Sequence, residues 1–329
     1  MVVAAPRRLV RVYVVLALLL LACAIEPSPP LPPHTFAFAV FGDGPYRAWE
    51  VARFRHMIRD VNRTDVAWLL HVGDIFWYPC SDANYERSLK AMNSIQHAVV
   101  YTPGDNEWTD CHDKIAGRYA PLERLAHIRR TFFAHPTRSL GATPMALESQ
   151  SEDPRYAEFV ENARWIRGGF VFATIHMVGG ENAQEDFAAR GPEDDAAAKR
   201  RIAAGLAWTD GTFALADSLQ LKGVVIAMHG SPGLQYHPKP KVGYVEFLDL
   251  LERRVKEFGR PVLLIHGDGH VYTVDHSLRD RDTYKPIENF TRLETFGSPD
   301  VGWVRVVVDT MAGDFVSFEP RMMRRWWFF

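Results

Sequence analysis

The residues with the clearest chemical potential are acids and histidines that directly follow short apolar runs. Four aspartates stand in Gly-Asp pairs after such runs, and two histidines lie in similar positions: Asp43, Asp74, Asp105, Asp268, His229 and His270. Carboxylate and imidazole groups are common ligands of divalent metal ions. Clustered carboxylates repel one another unless a cation lies among them. We therefore interpret these six residues as candidate metal ligands.

The apolar runs predict the elements that position these ligands. Each run holds five to seven residues rich in Val, Ile, Leu and Phe without alternation, a pattern typical of strands buried on both faces. Residues 48–61 and 83–92 have the apolar spacing of helices. Alternating strands and helices predict an α/β layered fold, in which ligands bind beyond the carboxyl ends of the strands.

Taken together, the motifs resemble those of the calcineurin-like metallophosphoesterase superfamily. The family pattern is G-D-x-H, G-D-x-x, G-N-H-E/D, a lone His after an apolar run, and G-H-x-H. The matching stretches of this chain are residues 42–45, 73–76 and 104–107, His229, and residues 267–270. The resemblance implies an α/β fold built as a four-layer α/β/β/α sandwich, with two divalent metal ions at the strand ends.

The resemblance also implies roles for individual residues. Asp43 and His270 would hold one metal, and Asp74 would bridge both. The second metal would be held by Asp105, His229 and Asp268. The ions could be Mn, Fe, Zn or Mg, a choice that the sequence leaves open. The implied activity is hydrolysis of a small phosphorylated substrate, a phosphate mono-, di- or pyrophosphate ester, by a metal-activated water.

One departure from the family pattern affects the first metal. Pro45 replaces the His of G-D-x-H and cannot bind a metal. Tyr46 or His266 could substitute for it. Because His266, Asp268 and His270 are two residues apart, an extended segment would turn all three side chains to one side.

A second set of departures affects the third motif. Asp105 replaces the family's ligand Asn, and Asn106 replaces the His that the family uses at the reacting phosphate. Asn106 donates a hydrogen bond but no proton, and with a register shift of one residue Asn106 would itself be the ligand. Proton donation could then fall to His112, His176 or His237. Together with Pro45, this leaves open a catalytically degenerate binding protein of the same fold.

Composition limits the classes of partner. Apolar residues make up 47% of the 329-residue chain, as in folded globular proteins. Lys and Arg total 38 against 40 Asp and Glu, so the net charge is -2. Without a basic excess to neutralise phosphates, nucleic acid is not an expected partner.

The first residues resemble an export signal. Three arginines precede the apolar residues 12–21, a run too short to span a bilayer. The sequence Leu-Leu-Ala-Cys23 resembles a bacterial lipobox, although a plain cleaved signal is the alternative. We predict an export signal at 1–22, a lipid-anchor cysteine with a Pro-rich spacer at 23–33, and one domain at 34–329. The expected location is the bacterial cell envelope, in the periplasm or outside, with membrane attachment through the lipid.

Two cysteines remain in the predicted domain. Cys80 lies six residues after Asp74, and Cys111 lies six residues after Asp105. If the two preceding strands end side by side, their loops begin as neighbours. An exported domain meets an oxidising compartment. We therefore predict a Cys80–Cys111 disulfide.

Overall fold

A computed structural model of the protein describes residues 30–234 and 241–323. The predicted export signal at 1–22, the lipidation candidate Cys23 and the proton-donor candidate His237 lie outside the described residues. Over the part of the chain that is described, no helix combines the length and apolar character needed to cross a membrane.

The first sheet has five strands in the order β12-β11-β1-β2-β3. These strands are β1 (Thr35–Phe41), β2 (Trp68–His71), β3 (Ala98–Tyr101), β11 (Gly302–Asp309) and β12 (Asp314–Met322). Strands β1, β2 and β3 are parallel, so their carboxyl ends lie at one edge. Strand β11 joins β1 in antiparallel register, with Phe38 opposite Val306.

The second sheet has seven strands in the order β4-β5-β6-β7-β8-β10-β9. They are β4 (Glu148–Ser149), β5 (Ala163–Arg167), β6 (Phe170–Thr174), β7 (Gly223–Ala227), β8 (Val262–His266), β9 (Thr273–Asp275) and β10 (Phe290–Glu294). The four strands β6, β7, β8 and β10 are parallel. The strands β7 and β8 therefore end at the same edge of this sheet.

Helices cover the outer face of each sheet. The helices are α1 (Val51–Val61), α2 (Asp82–Asn93), α3 (Pro121–Phe132), α4 (Pro192–Ser218) and α5 (Val245–Phe258). The first three pack on the five-stranded sheet through residues such as Met57, Met92 and Ile128. The other two pack on the seven-stranded sheet through residues such as Phe213 and Leu251. Short 3-10 turns occur at Thr109–His112, Gln150–Glu152, Pro154–Tyr156 and Val242–Tyr244.

The inner faces of the two sheets share one core. Phe38 of β1 stacks on Trp68 of β2 with ring centroids 5.3 Å apart, and Trp68 meets Phe172 of β6 edge-on at 4.9 Å. Trp68 is 2% exposed, and replacing such a residue by Ala would cost about 3–5 kcal/mol of stability. The predicted four-layer α/β/β/α sandwich is confirmed.

Candidate metal centre

The strand ends of both sheets meet around one cluster of acids and histidines. Two groups of ligand atoms lie within 4.8 Å of one another: Asp43, Asp74 and His270 in the first, and Asp74, Asp105 and His229 in the second. The aspartates follow β1, β2 and β3 of the five-stranded sheet, and the histidines follow β7 and β8 of the other. Each group thus combines side chains from both sheets, and Asp74 belongs to both groups.

Both histidines are oriented by backbone carbonyls. Nδ1 of His229 lies 2.7 Å from the Val72 oxygen, and Nδ1 of His270 lies 2.7 Å from the Ser298 oxygen. Because a carbonyl only accepts, each Nδ1 carries the hydrogen and each Nε2 keeps a lone pair. Nε2 of His229 lies 2.8 Å from Asp105 Oδ1, and that of His270 lies 3.5 Å from Asp43 Oδ1. Metal-ligating histidines have this arrangement.

Unsatisfied atoms show that the residue set fits a bound cation. Among the described residues, Asp43 Oδ2 and His229 Nε2 are buried without a hydrogen-bond partner. Such groups are costly to bury unless something pairs with them. A Cβ at Gly104 would collide with the Asp74 carboxylate, and one at Gly267 would collide with that of Asp43. The oxygen and imidazole donors suit divalent ions.

The electrostatics of the cluster point the same way. Burial raises the pKa of Asp43 to about 6 and raises the pKa of Asp74 well above its ordinary value. Burial would lower the pKa of His229, but the Asp74 and Asp105 carboxylates raise it well above its ordinary value. The empty cluster therefore retains protons, and a divalent cation would bind by displacing them.

Four of the predicted ligands lie in the left-handed backbone region. Their φ angles are 55° at Asp43, 59° at Asp74, 69° at Asp268 and 63° at His270. Such a conformation is uncommon for residues other than glycine, and it concentrates at functional sites. The expectation of an extended segment at 266–270 is wrong, because β8 ends at His266 and the chain then turns through these left-handed residues.

The other two candidates after β8 lie outside both groups. Asp268 Oδ2 accepts a 2.9 Å hydrogen bond from the Ser231 backbone and lies 3.8 Å from Lys241 Nζ, although Asp268 lines the cavity in front of the cluster. His266 is fully buried, with Nδ1 2.9 Å from the Gly267 oxygen. The structure therefore does not bring either side chain into the two groups.

A cavity of about 400 Å³ opens in front of the cluster. Tyr46, Asn106, Trp77 and Arg47 line it together with the candidate ligands. The Tyr46 hydroxyl donates to Asp74 Oδ2 at 2.5 Å, and the Asn106 backbone donates to Asp74 Oδ1 at 3.2 Å. The aromatic and amide side chains next to the candidate ligands thus face the space where a substrate would bind.

Sequence reasoning missed two residues of this cavity, Arg47 and Ser298. The Arg47 guanidinium lies 5.3 Å from the Trp77 ring centroid, and no carboxylate of the described residues forms an ion pair with it. Its position four residues after Asp43 was an available signal. Ser298, whose carbonyl orients His270, comes from a loop that carries no recognisable pattern.

The predicted disulfide is present. Cys80 and Cys111 are bonded, with their Cα atoms 5.7 Å apart. Cys80 follows β2 and Cys111 lies in the 3-10 turn after β3. The bond therefore joins the two loops that begin with Asp74 and Asp105.

The proposed alternative proton donors lie away from this cavity. His176 is buried, and its Nδ1 lies 2.7 Å from Glu161 Oε1. His112 stacks on Phe187 with ring centroids 4.5 Å apart and lines a different cavity. Neither lines the cavity in front of the metal ligands.

Comparison with solved structures places this arrangement among known folds. The structure of PhoD, an alkaline phosphatase D, matches with a TM-score of 0.53 and 14% sequence identity, covering 86% of this chain and 66% of the PhoD chain. The protein has a metallophosphoesterase-type fold. The chain thus spans just under two thirds of the length of PhoD.

A second solved structure is TT1561 of Thermus thermophilus, a calcineurin-like phosphoesterase. It matches with a TM-score of 0.46 and 12% identity, covering 88% of this chain and 100% of that one. No protein-family model matches this sequence. No curated protein matches it either.

Proposed function

We propose that the protein hydrolyses a phosphate ester by means of two divalent metal ions and an activated water. The observation that supports this most directly is Asp74, whose carboxylate belongs to both groups of candidate ligands. Two cations about 3.5–4 Å apart need a shared anion to offset their repulsion, and two-metal hydrolases act on phosphate esters. Asp105, His229, Asp43 and His270 complete the two groups, and Asp268 lines the same cavity.

The chain's own side chains account for substrate binding in this proposal. Bound divalent ions would lower the pKa of a water molecule and neutralise phosphoryl charge. Arg47, which has no carboxylate partner among the described residues, would pair with the phosphoryl oxygens. The Asn106 amide would donate a hydrogen bond to the substrate, and the Trp77 ring would pack against the leaving group.

The proposed site of action is the bacterial cell envelope, with the domain in the periplasm or outside. The basic residues before the apolar run 12–21 and the lipobox-like Cys23 support export and lipid attachment. The Cys80–Cys111 disulfide is consistent with an oxidising compartment.

The test combines metal analysis with a panel of substrates. Protein purified without chelator is analysed for metal, stripped, and reloaded with Mn, Fe, Zn or Mg. Phosphate release is then measured on phosphomonoesters, phosphodiesters and pyrophosphates, with Asp74→Ala as the matched control. Release that follows metal content and is lost in Asp74→Ala supports the proposal. Stoichiometric metal without turnover on any substrate would instead favour the degenerate binding protein that Pro45 and Asn106 leave open.

A further inference from the structure

A second cavity, of about 490 Å³, lies beside the loop that carries Asp105. The 3-10 turn Thr109–His112, helix α3, the left-handed turn Gly179–Ala183 and the first half of α4 surround it. It shares no lining residue with the metal cavity. Its volume is within the range of small-molecule sites in proteins.

One wall of this second cavity holds a buried arginine without a counter-ion. Arg201 on α4 is 2% exposed. Its Nη1 donates to the His176 oxygen at 2.8 Å and to Asn182 Oδ1 at 2.6 Å, and its Nη2 donates to the Asn182 oxygen. Among the described residues no carboxylate forms an ion pair with it, and its Nε finds no acceptor. A buried charge without an opposite charge is strongly unfavourable.

A second unsatisfied donor lies beside the first. Trp108 is 4% exposed, and its Nε1 has no acceptor among the described residues. The Arg201 guanidinium carbon lies 5.6 Å from the centroid of the Trp108 ring, and both residues line the cavity. Two neighbouring N–H groups, one of them cationic, match the two oxygens of a carboxylate.

The remaining charges restrict what kind of anion would bind. The other three arginines of the cavity already pair with acids: Arg129 with Glu161, Arg190 with Asp195, and Arg200 with Glu158. The described lining residues also include seven carboxylates, namely Asp110, Asp113, Glu158, Glu185, Asp186, Glu193 and Asp194. This negative surplus opposes a dianion such as a phosphate monoester and leaves room for one negative charge at Arg201.

We propose that this second cavity binds a small monocarboxylate with an apolar body. The carboxylate accepts hydrogen bonds from Arg201 Nε and Trp108 Nε1. The apolar body packs against Phe159, Phe187, Leu122 and Leu125, which line the same cavity. This site is independent of the metal centre and does not depend on the proposed hydrolysis.

The test titrates the protein with 3-phenylpropionate in a calorimeter and compares it with the uncharged 3-phenylpropan-1-ol. We expect the carboxylate to bind the wild-type protein and the alcohol to bind much more weakly. Trp108→Phe removes the indole N–H while keeping an aromatic ring, and it should weaken carboxylate binding by about 10-fold, the usual effect of one hydrogen bond to a charged group.

A matched control exists within the fold. Trp165 also has a buried Nε1 without an acceptor, but its ring packs between the sheets against Trp68 and Phe172. Trp165→Phe should leave 3-phenylpropionate binding unchanged. In ¹⁵N spectra, the carboxylate should shift the indole N–H resonance that Trp108→Phe removes.

The metal centre could itself bind a carboxylate, so the titration is repeated with Asp74→Ala. Binding that persists in Asp74→Ala and weakens in Trp108→Phe supports the second cavity. The opposite pattern would assign the carboxylate to the metal centre and overturn the proposal. Equal affinity for acid and alcohol, or no binding at the solubility limit, would overturn it as well.

Discussion

The phenol of Tyr46 donates a 2.5 Å hydrogen bond to Oδ2 of Asp74, the carboxylate that both groups of candidate ligands share. Tyr46 directly follows Pro45, the residue that replaces a ligand histidine of the family pattern. Burial, followed by the Asp74 charge, raises the pKa of Tyr46 well above its ordinary value, so the metal-free phenol remains a donor. The hydrogen bond orients the shared carboxylate from the side where the histidine is missing.

Asp74→Ala should lose more metal than Asp43→Ala. Asp74 contributes to both groups of ligands, whereas Asp43 contributes to one. We expect almost no bound metal in Asp74→Ala and partial retention in Asp43→Ala, measured by elemental analysis per mole of folded protein. Circular dichroism checks that both variants fold. Equal metal content in the two variants would show that Asp74 does not bridge.

Asn106→His should raise turnover of alkyl phosphate esters more than turnover of aryl esters. The reason is that an alkoxide leaving group needs protonation, and general acid catalysis is typically worth 10²- to 10⁴-fold. Asn106 lines the metal cavity, where a histidine could reach a substrate. Rates for both ester types are measured in both proteins at saturating metal.

The native protein should accordingly prefer aryl and pyrophosphate esters to alkyl monoesters. Equal native rates for the two ester types, with no selective gain in Asn106→His, would mean that another group supplies the proton. They would also be expected if Asn106 is itself a metal ligand.

Arg47→Gln should lower kcat/KM by roughly 10- to 100-fold, the range for losing one hydrogen bond to a charged group. Arg47 lines the metal cavity without an acidic partner among the described residues, so its charge is available to a phosphoryl group. Steady-state kinetics test this. Arg55→Gln, which changes an exposed arginine of α1, is the matched control and should behave like the wild type. An unchanged kcat/KM in Arg47→Gln would remove Arg47 from substrate binding.

The strand-end ligands could be predicted from sequence because each depends on a local pattern. An uninterrupted apolar run predicts a buried strand, and the Gly-Asp pair that follows fixes where the strand ends, as at Asp43 and Asp74. Helices α1 and α2 likewise follow from their apolar spacing. Local signals were sufficient for these elements.

Other features depend on contacts between distant segments. Strand β10 contains Arg292 and Glu294 in a buried setting, so its sequence lacks an apolar run. The left-handed conformations at Asp268 and His270 cannot be inferred from residue spacing, which is why the expected common face with His266 was wrong. The second cavity depends on how the turn Gly179–Ala183 packs beside Trp108, a contact that no local pattern encodes.

Replacing Cys80 and Cys111 together by Ser should lower the free energy of unfolding. The bond closes a loop of 31 residues, and the chain-entropy model gives about 3–4 kcal/mol for a loop of this size. Urea unfolding of the oxidised protein and of the double variant measures the difference. Thiol labelling of the denatured, unreduced wild type should find neither cysteine reactive, and reactive thiols there would contradict the bond.

His176→Gln should make stability less dependent on pH between about pH 4 and 6.5. Burial lowers the pKa of His176 to about 4, although hydrogen bonding to Glu161 opposes this. In that window the unfolded chain binds a proton that the folded state excludes, so stability falls as the pH falls, by up to about 3 kcal/mol. Chemical unfolding at several pH values measures the slope.

The matched control for this change is His135→Gln, which alters an exposed histidine and should keep the wild-type slope. If His176→Gln also keeps that slope, proton exclusion at His176 does not contribute to acid sensitivity.

Each candidate metal would take its ligands from both sheets, since the aspartates follow strands of one sheet and the histidines follow strands of the other. A bound ion would therefore act as a cross-link at one end of the interface between the sheets, where the shared core otherwise depends on nondirectional apolar contacts. Because the ligands come together only in the folded chain, metal would stabilise that state by mass action. The temperature of unfolding should then rise with metal concentration, and the hydrogen exchange of amides along β1 and β8 should slow at the same time.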